Sequence, residues 1–279
     1  MYNGGPRGSV IMNCLHGERY LREAMDSVFA QTHRDWEIVF WDNASTDASA
    51  DIAKGCGERV RYFRSEETCP LGKARNLAIA QAQGDYVALL DCDDVWLPDK
   101  LDKQVPLGDA DPSVALIYSD SFFIDQDGAV IGRYFQRSPP PPGDAFMGLL
   151  TRRNFIPCLT VVMRRTVVEK VGGFNPALGY AEDFDLFLRI LREHKAAYVN
   201  EPLAKYRIHG GAITAAGLPN STREGIWVIR ETAKGIPALS FRDRWAIRMR
   251  LFALWCKLMV QRLRLWGTPT PGMSVWRRR

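Results

Sequence analysis

The sequence predicts an α/β fold: a mostly parallel central sheet with helices on both faces, followed by a C-terminal helical extension. Before residue 81, short apolar runs and helix-spaced segments alternate three times, and parallel neighbours need such crossovers. Tyr86 to Leu90 is then an apolar run without alternation, as expected of a strand covered on both faces, and it runs into Asp91, Asp93 and Asp94. Beyond residue 217, arginine and tryptophan replace the strand pattern.

Composition sets the bounds. A chain of 279 residues, 46% hydrophobic, can bury a substantial core. Its formal charge of +5 is modest and concentrated near the C-terminus, which argues against a general nucleic-acid surface. The six cysteines form no CxxC pair and follow no regular spacing. They indicate reduced, cytosolic thiols rather than a disulfide framework or a zinc site. The first residues, MYNGGPRGS, lack the apolar stretch of a secretory signal, and no apolar run reaches the ~18 residues of a membrane span. Residues 1–8 are expected to be a flexible leader.

Ser9 to Asn13 is the first expected strand. Gly4, Gly5 and Gly8 precede it, whereas a dinucleotide-binding glycine loop would follow its strand. Leu21, Ala24, Met25, Val28 and Phe29 recur at helical spacing, in a helix ending near Gln31. Trp36 to Trp41 is the second strand, and Ser45 or Thr46 is the expected cap of a helix running through Cys56. Val60 to Phe63 is the third strand, and Gly72 to Ala80 a helix bearing Lys73 and Arg75. The turns after these strands gather at one edge of the sheet, in a mononucleotide-binding arrangement.

After Leu101 the regularity loosens. Strands are expected at Val114–Ser119, Phe122–Ile124, Val130–Tyr134, Leu159–Met163, Ala196–Val199 and Leu203–Ile208, with a stiff proline run at Pro139–Pro142. Helices are expected at Ala145–Leu150 and at Thr166–Val171, the latter ended by Gly172 and Gly173. A further helix begins at GYAEDFDLFLRIL with Glu182, Asp183 and Asp185 in its first turn. The plain reading of those carboxylates is compensation of the helix dipole. Phe241 to Trp266 forms one helix or two, with arginines in two arcs rather than one. That segment either packs on the preceding domain or meets anionic headgroups at a membrane surface.

The Asp91-Cys92-Asp93 triplet admits two readings, a metal site and a solvated acidic turn. Its place at the mouth of a central strand favours metal, because crowded carboxylates repel one another unless a cation lies among them. Oxygen ligands on a short loop suit Mg²⁺ or Mn²⁺, usually shared with substrate phosphates.

Three segments together carry a resemblance: SVIMNCLHGERYLREAMDSVFAQTHRDWEIVFWDNASTD, PLGKARNLAIAQAQGDYVALLDCDDVWLPDKL, and GYAEDFDLFLRI followed by YRIHGG. Over Ser9 to Gly211 the chain resembles a family 2 glycosyltransferase of the Rossmann-like GT-A fold. The resemblance implies a catalytic domain over 9–217, with a nucleotide-binding half at 9–105 and an acceptor and catalytic half at 106–217, and a basic helical extension at 218–279. It implies a nucleoside-diphosphate-sugar donor, with UDP favoured, and a carbohydrate or lipid-linked saccharide acceptor in surface polysaccharide or glycoconjugate synthesis. Asn13, Asp42, Arg75, Asp91 and Cys92 match nucleotide-binding positions. Asp93 matches the ligand of Mn²⁺ or Mg²⁺, and His209 either joins it or is an ordinary loop residue. Asp183 matches the base that deprotonates the acceptor in an inverting displacement, with Glu182 in support. A cytoplasmic location, extending to the inner membrane's cytoplasmic face, goes with this reading.

Two departures are visible. MNCLHGERY stands where many members have a Pro-x-Tyr-Asn turn, and Asp42-Asn43-Ala44-Ser45 where many have Asp-Asp-Gly-Ser. Two alternatives carry less. A sugar-nucleotide pyrophosphorylase would need a glycine-rich phosphate loop after the first strand, and a non-catalytic binder would be free to lose Asp93 or Asp183. No GxxxxGK[ST] phosphate loop occurs.

Overall fold

The computed structural model describes residues 5–210 and 218–267. Strands β1 (Gly8–Cys14), β2 (Trp36–Asp42), β3 (Val60–Arg64) and β4 (Tyr86–Leu89) alternate with helices α1 (Glu18–Phe29), α2 (Ser49–Lys54) and α3 (Leu71–Ile79). They pair in the order β3-β2-β1-β4, all parallel, with Val10 opposite both Ile38 and Ala88. Every residue of β1, β2 and β4 is buried, which is why their sequences are continuously apolar rather than alternating. Val10, Ile38 and Ala88 face α1 and the helix beginning at Lys100. Ile11, Val39 and Val87 face α3 and the helices of the second half.

The second half continues the sheet with mixed pairing. Its elements are β5 (Val95–Trp96), α4 (Lys100–Ala110), β6 (Val114–Ile124), β7 (Val130–Arg133), α5 (Tyr134–Arg137), α6 (Ala145–Thr151), β8 (Val162–Arg164), α7 (Arg165–Lys170), α8 (Glu182–Leu191) and β9 (Lys195–Arg207). β8 lies antiparallel between β4 and β6, β9 runs parallel to β6, and β5 closes the far edge antiparallel to β9. The expected α/β sheet with helices on both faces is present, and α9 (Leu218–Lys234) and α10 (Phe241–Gly267) follow it.

Several local expectations are corrected. Neither Ser45 nor Thr46 caps α2. That helix starts at Ser49 and has no side-chain cap, while Ser45 donates its N–H to Asp42. The two expected strands at 114–124 are one, β6, whose register shifts through bulges near Asp120; those at 196–208 are likewise one, β9. A bulge interrupts alternation without ending a strand. Leu159 belongs to a 3₁₀ turn (Cys158–Thr160) before the short β8, and Tyr134 opens α5 instead of ending β7. α4 was hidden because Pro106 lies inside it and removes one helix donor. Gly211, the last residue of the family-like segment, lies outside the described residues.

Close approach fixes one glycine. A Cβ at Gly84 would stand 2.7 Å from the Ser9 nitrogen and 2.8 Å from the Gly8 carbonyl carbon, both backbone atoms. Gly84→Ala should therefore force β1 and β4 apart and cost about 1–3 kcal/mol in urea unfolding; an unchanged midpoint would show that the strands have room to spare.

Candidate active site

The carboxyl ends of β1, β2 and β4 deliver Asn13, Asp42 and the Asp91–Asp94 turn to one edge of the sheet. Asp42 is fully buried. Its Oδ1 accepts from the Ser45 N–H at 2.7 Å, and its Oδ2 accepts from the Tyr62 hydroxyl at 2.6 Å and from Arg64. Burial opposes its charge, but the hydrogen bonds from Tyr62 and Ser45 and the Arg64 charge outweigh it and hold the carboxyl below its ordinary value. Both oxygens are engaged within the protein. In this arrangement Asp42 organises the loop and offers no open acceptor to a base. Ala44, in that loop, has φ 67°, the left-handed region that favours glycine, and it stands where the family pattern has glycine.

At the first turn of α1, a Cβ on Gly17 would lie 2.6 Å from Cys14 Sγ and 2.8 Å from Cys92 Sγ. Glycine is what lets the end of β1 and the Asp91–Asp93 turn close together. The Cys92 and Cys14 sulfurs both lie against Gly17. Asn13 is buried, with its Nδ2 lacking a hydrogen-bond partner.

Arg75 is the structural centre of the site. Only 3% exposed, it donates through Nη1 to Glu182 Oε1 at 3.0 Å and through Nη2 to Asp91 Oδ1 at 2.9 Å, and its guanidinium lies over the Phe174 ring. Burial works against its charge, but the two carboxylates more than compensate and raise its pKa further. A lysine could not make this two-armed contact.

Asp183, half-buried at the start of α8, accepts the Phe184 N–H at 2.6 Å. Burial and then the Glu182 charge push its carboxyl up to about 7, against the opposing pull of Arg75. That places it where a general base works at neutral pH. Dipole compensation alone would have lowered it. Glu182 is buried, and its Oε2 has no hydrogen-bond partner.

The Asp91–Asp94 turn is fixed from β9. Arg207, 2% exposed, donates from Nε to the Asp93 carbonyl at 2.8 Å and from Nη2 to Glu23 at 2.6 Å, while its N–H reaches Asp94 Oδ1 at 2.8 Å. Burial and the neighbouring carboxylates raise Asp94 well above the usual range, so it serves the fold as a buried acid. Burial and the Asp91 charge also raise Asp93, which His209 Nε2 approaches at 2.8 Å.

Among the described residues, no three His, Cys, Asp or Glu side chains converge into a ready metal cage. The donors present still fit a hard divalent cation, because a cation would relieve the repulsion between Asp91 and Asp93. One or two protein ligands completed by phosphate oxygens and water is the usual Mg²⁺ pattern.

Sequence reasoning missed three sets of contacts. Tyr134 and Cys158 lie within electrostatic reach of Asp183, and burial keeps both neutral. Asp120, fully buried, accepts from Arg133 and from the Phe135 N–H, and so fixes the backbone on both sides of Tyr134. Third, α8 has no side-chain cap of its own. Glu224 on α9 instead braces the loop that enters it, accepting the N–H groups of Gly179, Tyr180 and Ala181 at 3.1, 2.8 and 3.0 Å. No local signal announces these contacts, since each joins residues distant in sequence.

The family model for Glycosyl transferase family 2 matches residues 9–172. TuaG of Bacillus subtilis (strain 168), a glycosyltransferase whose name assigns it provisionally to teichuronic acid biosynthesis, is 32% identical over 77% of this chain and 84% of its own. WfgD of Escherichia coli, named as a UDP-Glc:alpha-D-GlcNAc-diphosphoundecaprenol beta-1,3-glucosyltransferase, is 26% identical over 74% of this chain and 79% of its own. The crystal structure of S. aureus TarS 1-349 with UDP-GlcNAc superposes with a TM-score of 0.70 at 18% identity, covering 86% of this chain and 70% of that one. The last shows a shared GT-A fold.

Replacing the Glu224 carboxylate should loosen the loop that leads into α8. Glu224→Ala is expected to cost about 1–2 kcal/mol in urea unfolding, with faster amide exchange at 179–181; unchanged exchange there would remove Glu224 from this role.

Proposed function

The chain belongs to glycosyl transferase family 2 and is a glycosyltransferase; from that premise we propose that it inverts the anomeric centre as it moves a sugar from a nucleoside-diphosphate donor, UDP-sugar favoured, to an acceptor hydroxyl. The observation that carries the mechanism is Asp183, a half-buried carboxyl titrating at about 7 beside the Glu182–Arg75–Asp91 chain. In one displacement the acceptor oxygen bonds to the anomeric carbon and the bond from that carbon to the phosphate oxygen breaks. The acceptor proton passes to Asp183. Charge builds on the sugar in an oxocarbenium-like transition state.

Asp91, Asp93 and the backbone around Asn13 and Cys92 form the donor side. Asp42 supports the base end through Tyr62, Arg64 and the loop it organises. A divalent cation, Mn²⁺ or Mg²⁺, bound through Asp93 with His209 alongside would neutralise the departing diphosphate. Arg75 is too deeply buried to reach solvent and acts by holding Asp91 and Glu182 in register. Tyr134 and Cys158 exclude water around Asp183, which strengthens its interactions.

The donor class is supported by the UDP-GlcNAc in TarS and by the UDP-Glc of WfgD's name. The acceptor we infer is a saccharide on a lipid diphosphate, the class in WfgD's name, within polysaccharide synthesis of the kind TuaG's name indicates. Neither a pyrophosphorylase nor a non-catalytic binder has an observation in its favour.

Asp183→Asn should bind UDP as the native protein does in calorimetry, while diphosphate release from the sugar donor falls about a hundred- to ten-thousand-fold. Loss of both would assign Asp183 to binding, and loss of neither would remove it from catalysis. In the native enzyme kcat/KM should rise with pH and level off above about 7, because the base works only when deprotonated. Stability carries the opposite sign. The folded pKa is raised, so between the unfolded carboxyl's value near 4 and about 7 the native state holds a proton that the unfolded chain has released, and stability falls as pH rises through that window. Asp183→Asn should reduce that slope in Tm by the share of Asp183, and an unchanged slope would contradict the burial of this charge.

A further inference from the structure

α10 is apolar on two opposite sides. Ile247 and Leu258 are buried, and Leu251 and Leu254 pack with Ile247's cluster on the protein core. With 3.6 residues per turn, Phe241, Trp245, Met249, Phe252 and Trp255 fall within about one third of the helix circumference, almost diametrically across from Ile247. They are open to solvent: Phe241 is 79% exposed, Phe252 60%, Trp245 59%, Trp255 51% and Met249 46%. Two facing apolar stripes cancel in any single-face average, which is why the sequence alone shows imperfect amphipathicity. A core-packed helix needs only one of them.

The second stripe has a charged border. Arg244 and Arg248 lie along one edge of the arc and Arg242 along the other, and all three are exposed. The helix has one acidic residue, Asp243, which lies toward the core side and accepts from the Ser240 hydroxyl. From Phe241 to Trp255 the stripe runs about 21 Å along the axis. So long a row of tryptophan, phenylalanine and methionine, edged by cations and free of carboxylates, complements a flat anionic surface with an apolar layer beneath it.

We propose that the outer face of α10 is a docking surface for the anionic headgroup layer of a lipid bilayer, with Trp245, Phe252 and Trp255 entering the acyl boundary and Arg244 and Arg248 meeting lipid phosphates. Among the described residues no helix is long and apolar enough to cross a membrane, so the contact is peripheral. A second copy of the chain fits this face poorly, because a two-fold contact would set arginine edge against arginine edge. The inference stands on the helix alone and does not rest on the transferase reading. It has a bearing on that reading all the same. The inner side of α10 reaches α8, where the Arg250 guanidinium lies 5.2 Å from the centre of the Phe184 ring, next to Asp183.

The test is co-sedimentation of the full chain with vesicles of phosphatidylcholine alone and of phosphatidylcholine mixed equally with phosphatidylglycerol. Binding is expected to the mixed vesicles only and to weaken with salt. Trp245→Ala, Phe252→Ala and Trp255→Ala combined should abolish it. Arg244→Gln with Arg248→Gln should weaken it about thirty-fold, at roughly a factor of five for each arginine. All five side chains are exposed, so circular dichroism should show both variants folded. Absence of binding by the native chain, or equal binding by the aromatic variant, would overturn the proposal. So would a concentration-dependent dimer, seen by light scattering, that the aromatic variant loses; that outcome would make a second copy the occupant.

Discussion

The guanidinium of Arg75, buried beneath the site, carries one positive charge between two carboxylates, Asp91 at the end of β4 and Glu182 at the start of α8. Taking the Arg75 and Glu182 charges out of water is costly, and only matched geometry offsets the cost. The fold supplies that geometry by placing α3 on the same face of the sheet as α8, where both belong to one apolar cluster. Removing the arginine would leave the buried Glu182 carboxylate without its counter-charge and the half-buried Asp91 without its partner, a strongly destabilising kind of change. Asp91 and Glu182 thus serve the fold as well as lining the candidate site.

Asp183 shows what this arrangement achieves. Burial alone makes a carboxyl a weak acid, and the adjacent Glu182 adds to the effect, while Arg75 holds the rise in check. The result is a carboxyl whose pKa is set near neutral pH by opposing contributions, as the proposed base requires. On the donor side the logic is different. Asp91 and Asp93 repel, His209 and the Arg207 contacts steady the turn, and a cation would complete the balance. Glu224, which secures the loop entering α8 from α9, ties the C-terminal helices into the same site.

The first half of the fold was legible because its strands are buried on both faces and its helices on one. Continuous and helix-spaced apolar runs follow directly from that. The acidic turn at 91–94, Arg75 and the Glu182–Asp183 pair could be found because they sit at the ends of those elements. The second half was harder for physical reasons. Bulges near Asp120 broke one strand into two apparent ones, Pro106 disguised α4, and Val95–Trp96 is too short to show a period. Arg75 could be picked out as a site residue, but its pairing with Glu182 and Asp91 could not, because those partners lie far from it in sequence. Glu224, Arg207 and Tyr134 act across distances in sequence that no local pattern records.

The dependence of the base on its buried neighbours can be measured through the acid limb of the kcat/KM profile in Glu182→Gln. With the Glu182 charge gone and the Arg75 charge less neutralised, both changes favour the ionised form of Asp183. The limb should move from about 7 to lower pH while UDP binding is retained. An unmoved limb with intact UDP binding would show that Asp183 is tuned independently of the Arg75 assembly and would contradict the account.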